Sequence, residues 1–240
     1  MAIKKKYISP INGGRQLLVG DIHGCARTLE GLLLKIDLNT DDQIFFVGDY
    51  INKGPDSKGV LDTLIALRKK HQHIYFLRGN NESYFYKTLK KSESRVLRLA
   101  RRYKVEDLFK YEGSKFFLRK RYRKFLKSTL HYIESDNFYV VHAGFDFKSE
   151  IPFYNTFDML WMRNFKPSKK LQKFKPVIHG HKITPIKQIR KAVKNEKYDI
   201  PIDNGCVLGN RKKDYGRLIC FDITNRKLIE QKNVELEEVG

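Results

Sequence analysis

The sequence predicts an α/β fold that begins with right-handed βαβ units. Three short apolar runs in the first 80 residues each end in a glycine and a polar cluster, with helical spacing of leucine and isoleucine between them. Unbroken apolar runs bounded by turn residues are typical of strands buried on both faces. A strand, a helix and a parallel strand connect with right-handed topology, so the start of the chain predicts a parallel sheet.

The elements of this first part can be placed in order. The apolar runs lie at residues 16–24, 43–54 and 74–82. The first predicted helix, Ala26–Ile36, carries leucine and isoleucine on one face, and the second, at residues 60–67, follows a proline suited to a helix start.

The rest of the chain divides into a basic part and a strand-rich part. Residues 82–131 are basic and aromatic with helical spacing, which predicts a helical cap insertion of about residues 83–135 within a single domain of residues 1–240. Later strands are predicted at residues 138–142, 177–178, 200–202, 217–223 and 227–231. Their short, turn-separated pattern favours an antiparallel second sheet.

The composition restricts the classes of protein. There is no run of about 18 apolar residues, no signal-like start, and three cysteines without paired spacing, Cys25, Cys206 and Cys220. We expect a cytoplasmic protein with reduced cysteines that does not enter a membrane. The net charge of +21 is explained either by a solvated surface or by phosphorylated or nucleic-acid partners.

Side chains that bind metals follow almost every predicted strand of the α/β part. Ligands of open α/β sheets bind at the carboxyl ends of strands, and mixed oxygen and nitrogen donors suit a pair of divalent metals. Glycines beside these residues allow tight turns and close backbone approach. The candidates are Asp21, His23, Asp49, Asn80, His142, His179 and His181.

Six segments resemble the calcineurin-like metallophosphoesterase family, in the branch of phosphoprotein phosphatases that includes bacterial serine/threonine phosphatases. They are GDIHG (20–24), GDYINKG (48–54), GNNE (79–82), VHAG (141–144), HGH (179–181) and IDNGC (202–206). The resemblance implies a four-layer α/β/β/α sandwich, in which two mixed sheets are flanked by helices, with a binuclear metal centre.

The resemblance also implies roles for single residues. Asp21 and His23 would bind the first metal and Asp49 would bridge both, while the second metal would be completed by Asn80, His142 and His181. His179 falls outside this pattern and is expected either to support a ligand from outside or to be structural. Phosphate oxygens would be bound by Lys53, Arg163 and Asn80. Two divalent ions are expected, with manganese as the first choice and iron, zinc or nickel as alternatives.

The sequence departs from the family at the general acid. The family motif GNHE has a histidine that protonates the leaving group, and here Asn81 stands there. Asn52 replaces the aspartate that pairs with this histidine, and Lys53 replaces an arginine. An amide cannot act as a general acid, so another acid could have taken over; the candidates are Tyr50, Glu82, Tyr84 and His131.

Three functions remain open from the sequence. The first is a metal-dependent phosphatase that hydrolyses phosphate monoesters of a phosphoprotein or small molecule by a bridging hydroxide. The second is a pseudophosphatase that binds metal and a phosphorylated ligand without efficient turnover. The third is a nucleotide or dinucleoside polyphosphate hydrolase, with aromatics of the basic segment stacking on nucleic-acid bases, although apolar packing is the commoner role for such aromatics.

Overall fold

The computed structural model describes residues 2–163 and 175–235 of the chain. Its strands, in chain order, are β1 (Lys5–Ile8), β2 (Gln16–Val19), β3 (Gln43–Phe46), β4 (Ile74–Phe76), β5 (Phe109–Glu112), β6 (Lys115–Leu118), β7 (Tyr132–Ser135), β8 (Tyr139–Val141), β9 (Val177–His179), β10 (Asp199–Pro201), β11 (Arg217–Asp222) and β12 (Lys227–Lys232). Its helices are α1 (Ala26–Ile36), α2 (Ser57–Lys70), α3 (Asn80–Thr88), α4 (Glu93–Tyr103), α5 (Lys120–Ser128), α6 (Thr156–Trp161) and α7 (Ile186–Lys194).

Two mixed five-stranded sheets form the centre of the molecule. The first has the order β12-β11-β2-β3-β4 and the second the order β1-β7-β8-β9-β10. Strands β2, β3 and β4 run parallel, as do β8, β9 and β10. The predicted α/β class with two mixed sheets flanked by helices is therefore confirmed.

The apolar runs of the first sheet are buried on both faces, as their sequence predicts. In β2, Leu17 belongs to the cluster shared with the helices, whereas Leu18 belongs to the cluster shared with the second sheet. Ile44 and Phe45 of β3 divide in the same way, because successive side chains of a strand point to opposite faces. A strand between two apolar layers has no polar face to interrupt the run.

The two predicted helices are confirmed, the first with the bounds expected. The second begins earlier than predicted, at Ser57, because the side chain of Asp56 accepts a hydrogen bond from Gly59 N and caps the helix. Both helices pack their apolar side chains on the first sheet. No helix of the described ranges is both long and apolar enough to cross a bilayer.

The basic segment is not wholly helical, which corrects the prediction. Strands β5 and β6 form an antiparallel hairpin inside it, closed by a turn in which Gly113 has a φ of +60°. Most residues of these two strands are exposed or half-buried, so the segment shows no alternating apolar pattern that would predict strands. Of the aromatics of this segment, Tyr103, Phe109 and Tyr122 are buried, as expected for apolar packing of the cap, whereas Tyr111 and Phe117 are exposed.

The expected antiparallel second sheet is also wrong. Strand β11 pairs antiparallel with both β12 and β2, so these last two strands extend the first sheet. The second sheet contains β1 and β7, which the sequence pattern missed. Only Ile8 of the four residues of β1 is buried, which leaves no apolar run to detect.

Candidate metal centre

The candidate ligands meet where the parallel strands of both sheets end. Asp21 and His23 follow β2, Asp49 follows β3, and Asn80 begins α3 after β4. His142 and His181 follow β8 and β9 of the second sheet. The topology therefore brings six residues, separated by up to 160 positions in sequence, to one edge of the molecule.

The side chains form two clusters that share one carboxylate. Ligand atoms of Asp21, His23 and Asp49 lie within 4.8 Å of one another, and so do those of Asp49, His142 and His181. Asp49 Oδ2 is 3.5 Å from His23 Nε2, and its Oδ1 is 3.6 Å from His142 Nε2. The two oxygens of Asp49 thus face different clusters, as a bridging carboxylate requires.

Asn80 belongs to the second cluster. Its Oδ1 lies 3.0 Å from His142 Nε2 and 3.0 Å from His181 Nδ1. Three donor atoms at such separations suit one ion with bonds of about 2.1 Å. His181 Nε2 is buried and has no hydrogen-bonding partner among the described residues.

Backbone carbonyls fix the orientation of two imidazoles. His142 Nδ1 lies 3.0 Å from Val47 O, and His23 Nδ1 lies 3.4 Å from Ile51 O. A ring that donates from Nδ1 presents the lone pair of Nε2 to the centre. The structure thus places both Nε2 atoms in the state that binds a metal.

The loops that carry these residues are held in unusual backbone conformations. His23, Asp49 and His181 have φ values of 51°, 51° and 64°, in the left-handed region that side chains rarely adopt. A Cβ on Gly79 would lie 2.1 Å from Asp49 Oδ1, so only glycine allows this approach. Strain of this kind persists where surrounding contacts enforce it.

Glu82 provides those contacts. Its Oε2 accepts hydrogen bonds from Asp49 N and Gly79 N, and its Oε1 accepts from Tyr50 N and Ile51 N. The side chain is fully buried. One carboxylate therefore connects the loop after β3 to the start of α3.

Burial sets the protonation of the centre. It lowers the pKa of His23 to about 4 and that of His181 to about 3, so both imidazoles are neutral at pH 7. Burial, Asp203 and Asp49 raise the pKa of Asp21 well above its ordinary value. Burial opposes ionisation of Asp49, but His142, His23, the Asn81 N–H donor and Lys53 together outweigh it and lower the pKa of that carboxyl.

Asp203 is a residue of this centre that sequence reasoning passed over. It is buried after β10, and burial raises its pKa to about 6. It accepts a hydrogen bond from Gly205 N and adds a third carboxylate near Asp21. Asp203 lies in the IDNGC segment, whose resemblance to the family is the signal that could have identified it.

The two asparagines that replace the family's acid pair are in contact. Asn52 Nδ2 donates to Asn81 Oδ1 at 2.8 Å, and Asn81 Nδ2 donates to Asp49 Oδ2 at 2.7 Å. Asn81 N also donates to Asp49 Oδ1. The pair orients the shared carboxylate without supplying an acidic proton.

The expected phosphate ligands lie on different sides of the site. Lys53 Nζ is 2.8 Å from His23 Nε2, at the first cluster. Arg163 is exposed and lines a cavity of about 140 Å³ with His179 and Lys182. Its charge contributes to the low pKa of His181. His179, expected to support a ligand or to be structural, has its Nε2 2.6 Å from Asp199 Oδ1.

Three of the four candidate replacement acids are engaged elsewhere. Tyr50 is buried and donates to Leu77 O, and both oxygens of Glu82 accept backbone N–H groups. His131 Nδ1 accepts from Lys4 N. Tyr84, on α3 one turn after Asn80, is 49% exposed.

This geometry agrees with the comparisons with known proteins. The family model for calcineurin-like phosphoesterases matches residues 14–204, and the chain belongs to that family. A symmetrical bis(5′-nucleosyl)-tetraphosphatase of Cellvibrio japonicus is 49% identical over 65 residues, 27% of this chain and 23% of that protein. The chain therefore matches about a quarter of the length of this relative.

Two further similarities cover most of the chain. The asymmetrical bis(5′-nucleosyl)-tetraphosphatase PrpE of Oceanobacillus iheyensis is 25% identical over 236 residues, 82% of this chain and 86% of that protein. The crystal structure of a candidate diadenosine tetraphosphatase superposes with a TM-score of 0.68 at 24% identity, covering 95% of this chain and 97% of that one. The fold is thus shared over nearly the whole length. The family uses divalent metals, and this chain has ligand groups suited to them.

Proposed function

We propose that the protein is a two-metal phosphohydrolase that cleaves phosphoanhydride bonds, such as those of dinucleoside polyphosphates, faster than alkyl phosphate monoesters. The observation that carries this proposal is the Asn52–Asn81–Asp49 chain of hydrogen bonds beside two metal-type clusters. The names of the tetraphosphatase relatives support the substrate class.

The residues fit a pair of divalent ions. Asp21 and His23 would hold the first ion and Asp49 would bridge both, with the second completed by Asn80, His142 and His181. The approach of Asn80 Oδ1 to both His142 Nε2 and His181 Nδ1 and the two-sided placement of Asp49 support this assignment. When bound, such ions lower the pKa of water and neutralise phosphoryl oxygens during in-line attack.

The protein's own side chains position the substrate. Lys53 brings a positive charge to the first cluster, where it would bind a phosphate oxygen, and Arg163 would bind another from the side of the second cluster. Asn81 orients Asp49 but cannot protonate a departing oxygen. A phosphate leaving group needs little protonation, whereas a serine alkoxide needs it strongly, so the leaving group decides the rate.

The test compares three substrates at saturating manganese: diadenosine tetraphosphate, an aryl phosphate and a phosphoserine peptide. A positioned general acid contributes about 10²–10⁴ in rate, so we expect the phosphoserine peptide to be slower by a factor of this order. Equal rates on all three would contradict the preference for phosphoanhydrides. Binding of the three ligands without turnover of any would identify a pseudophosphatase.

The metal assignment is tested separately by metal analysis of Asp49→Asn. Loss of a residue that only supports a metal ligand weakens metal binding by up to about 100-fold. Because Asp49 would be a direct ligand of both ions, its loss should weaken metal binding by more than this. Asp41→Asn removes an exposed carboxylate from the loop before β3 and serves as the matched control. Two ions per chain retained by Asp49→Asn would refute the bridging role.

A further inference from the structure

We infer that the groove between α3 and α4 is a docking surface for single-stranded nucleic acid. The groove has a volume of about 430 Å³, and its lining includes five cationic side chains and one tyrosine. No acidic residue of the described chain lines it. The residues concerned are Tyr84, Lys87, Lys91, Arg95, Arg98 and Arg102.

Both helices direct one stripe of side chains into the groove. Arg95, Arg98 and Arg102 follow one another at spacings of three and four residues, which places them on one face of α4. Tyr84 and Lys87 have the same relation on α3, and Lys91 continues the stripe in the turn that follows. Over the seven residues from Arg95 to Arg102 the stripe of α4 extends about 10 Å.

The positive charges of the groove are not neutralised by any acidic residue that the structure describes. All five cationic side chains are exposed, and none makes a hydrogen bond or ion pair with a residue that the structure describes. By contrast, Arg190 pairs with Glu230 and Lys58 with Asp62. Like charges one turn apart destabilise a helix, so the stripe of α4 weakens the free fold and favours a bound polyanion.

Tyr84 distinguishes nucleic acid from other polyanions. It is 49% exposed beside the cations, whereas Tyr103 and Phe109 of the same cap are buried in the core. An exposed aromatic ring next to a phosphate-binding stripe offers a base a surface on which to stack. An acidic peptide would be held by the cations alone and would gain nothing from the ring.

The groove begins beside the candidate metal centre. Asn80, Tyr84 and Lys87 lie at spacings of four and three residues, on one face of α3. Asn80 Oδ1 contacts the histidines of the second cluster. A strand in the groove would therefore lie along the helix whose first residue belongs to the centre.

Fluorescence anisotropy with an oligothymidylate of about 12 nucleotides tests the inference. The strand carries a 5′-hydroxyl and a 3′ fluorophore and so offers no 5′-phosphate for hydrolysis, which makes the result independent of the proposed enzymatic function. Each phosphate contact contributes about 0.7 to the salt slope for single strands. The double variant Arg95→Gln/Arg98→Gln should lower the slope of log affinity against log salt by about 1.4. If the variant and the unmodified protein bind equally at 1 M salt, the variant should bind about 25-fold more weakly at 0.1 M salt.

The controls separate the groove from general positive charge. Tyr84→Ala should weaken binding by at least about fivefold through loss of stacking. Arg101→Gln removes an exposed charge from α4 outside the groove and should reduce binding far less. Equal losses for Arg101→Gln and Arg98→Gln, or equal competition by polyglutamate of matched charge, would overturn the inference. Absence of binding by the unmodified protein would overturn it as well.

Discussion

Asn52 donates a hydrogen bond to Asn81 across 2.8 Å, at the two positions where the resemblance of the sequence motifs implies an aspartate and a histidine. Asn81 in turn donates to Asp49 at 2.7 Å. A carboxamide both donates and accepts, so the chain of hydrogen bonds is complete from the loop after β3 to the shared carboxylate. None of the amide groups in this series of hydrogen bonds can donate a proton as a general acid.

Restoring the acid should increase hydrolysis of alkyl phosphates. We expect Asn52→Asp combined with Asn81→His to raise kcat on a phosphoserine peptide by about 10²–10⁴. The rise on an aryl phosphate should be much smaller, since its leaving group needs less protonation. Initial rates of the single and double variants provide the measurement.

Asn81→His alone should gain less than the double variant, because the new imidazole has no carboxylate partner. Metal content of each variant serves as the control, since Asn81 contacts Asp49. No gain in a double variant that retains both metals, together with fast hydrolysis by the unmodified protein, would mean that another acid already acts.

Gly79→Ala should disrupt the metal centre. The added Cβ would lie 2.1 Å from Asp49 Oδ1, and such overpacking typically costs about 1–3 kcal/mol. We expect lower metal content and a lower melting temperature. The matched control is Gly31→Ala in α1, where the Cβ meets only the end of the Gln231 side chain at 3.2 Å. A variant at Gly79 with normal metal content would show that the loop can move without cost.

Glu82→Gln should destabilise the fold and loosen the site together. One oxygen becomes an amide group, so two backbone N–H donors lose their acceptor at a cost of about 3 kcal/mol. The melting temperature should fall by about 6 °C or more. The control is Glu106→Gln, which makes the same substitution and removes the same charge at an exposed position. Equal melting temperatures for the two variants would contradict the connecting role of Glu82.

His131 should make stability depend on acid pH. Burial and the charges of Arg78 and Lys4 lower the pKa of His131 to about 4, below the value of 6.5 for an unfolded chain. Between these two pH values the unfolded state binds more protons than the folded state. The contribution of His131 to the free energy of unfolding is therefore fully present above pH 6.5 and is lost as the pH decreases toward 4. His131 can change the free energy of unfolding by at most about 1.4 kcal/mol per pH unit.

Urea titrations at pH 7, 6 and 5 measure this dependence. His131→Gln removes the titrating group and should give a shallower loss of stability toward acid than the unmodified protein. His71→Gln, at a half-exposed position that ends α2, is the matched control. Identical pH dependence in the unmodified protein and His131→Gln would refute the assignment.

The strands and helices of the α/β part were predictable because local signals there agree with burial. Runs such as Leu17–Leu18 and Ile44–Phe45 lie between two apolar layers, so every residue of them is apolar. The candidate ligands were predictable for a related reason. Polar side chains beside glycine at the ends of buried strands are seldom there for a structural reason alone. Six of them occur along this chain in the same order as in the motifs of the family.

The sequence did not determine the position of the last strands or the outcome for the basic segment. Val19 pairs with Cys220 across the first sheet, and a pattern of alternating residues does not specify which sheet a strand will join. Only the first residue of β5 and the last residue of β6 are buried in their hairpin, so no alternating pattern distinguishes it from a surface helix. These features depend on contacts between residues distant in sequence.

By itself, the sequence determined the buried strands of the α/β part, six candidate metal ligands and the loss of the acid pair, because these follow from residue chemistry and local spacing. Only the tertiary structure decided that Asp49 faces both clusters, that Glu82 connects two loops, and that the cations of α3 and α4 face one groove. Such relations are distances between side chains of different elements, and they are set by how the sheets and helices pack.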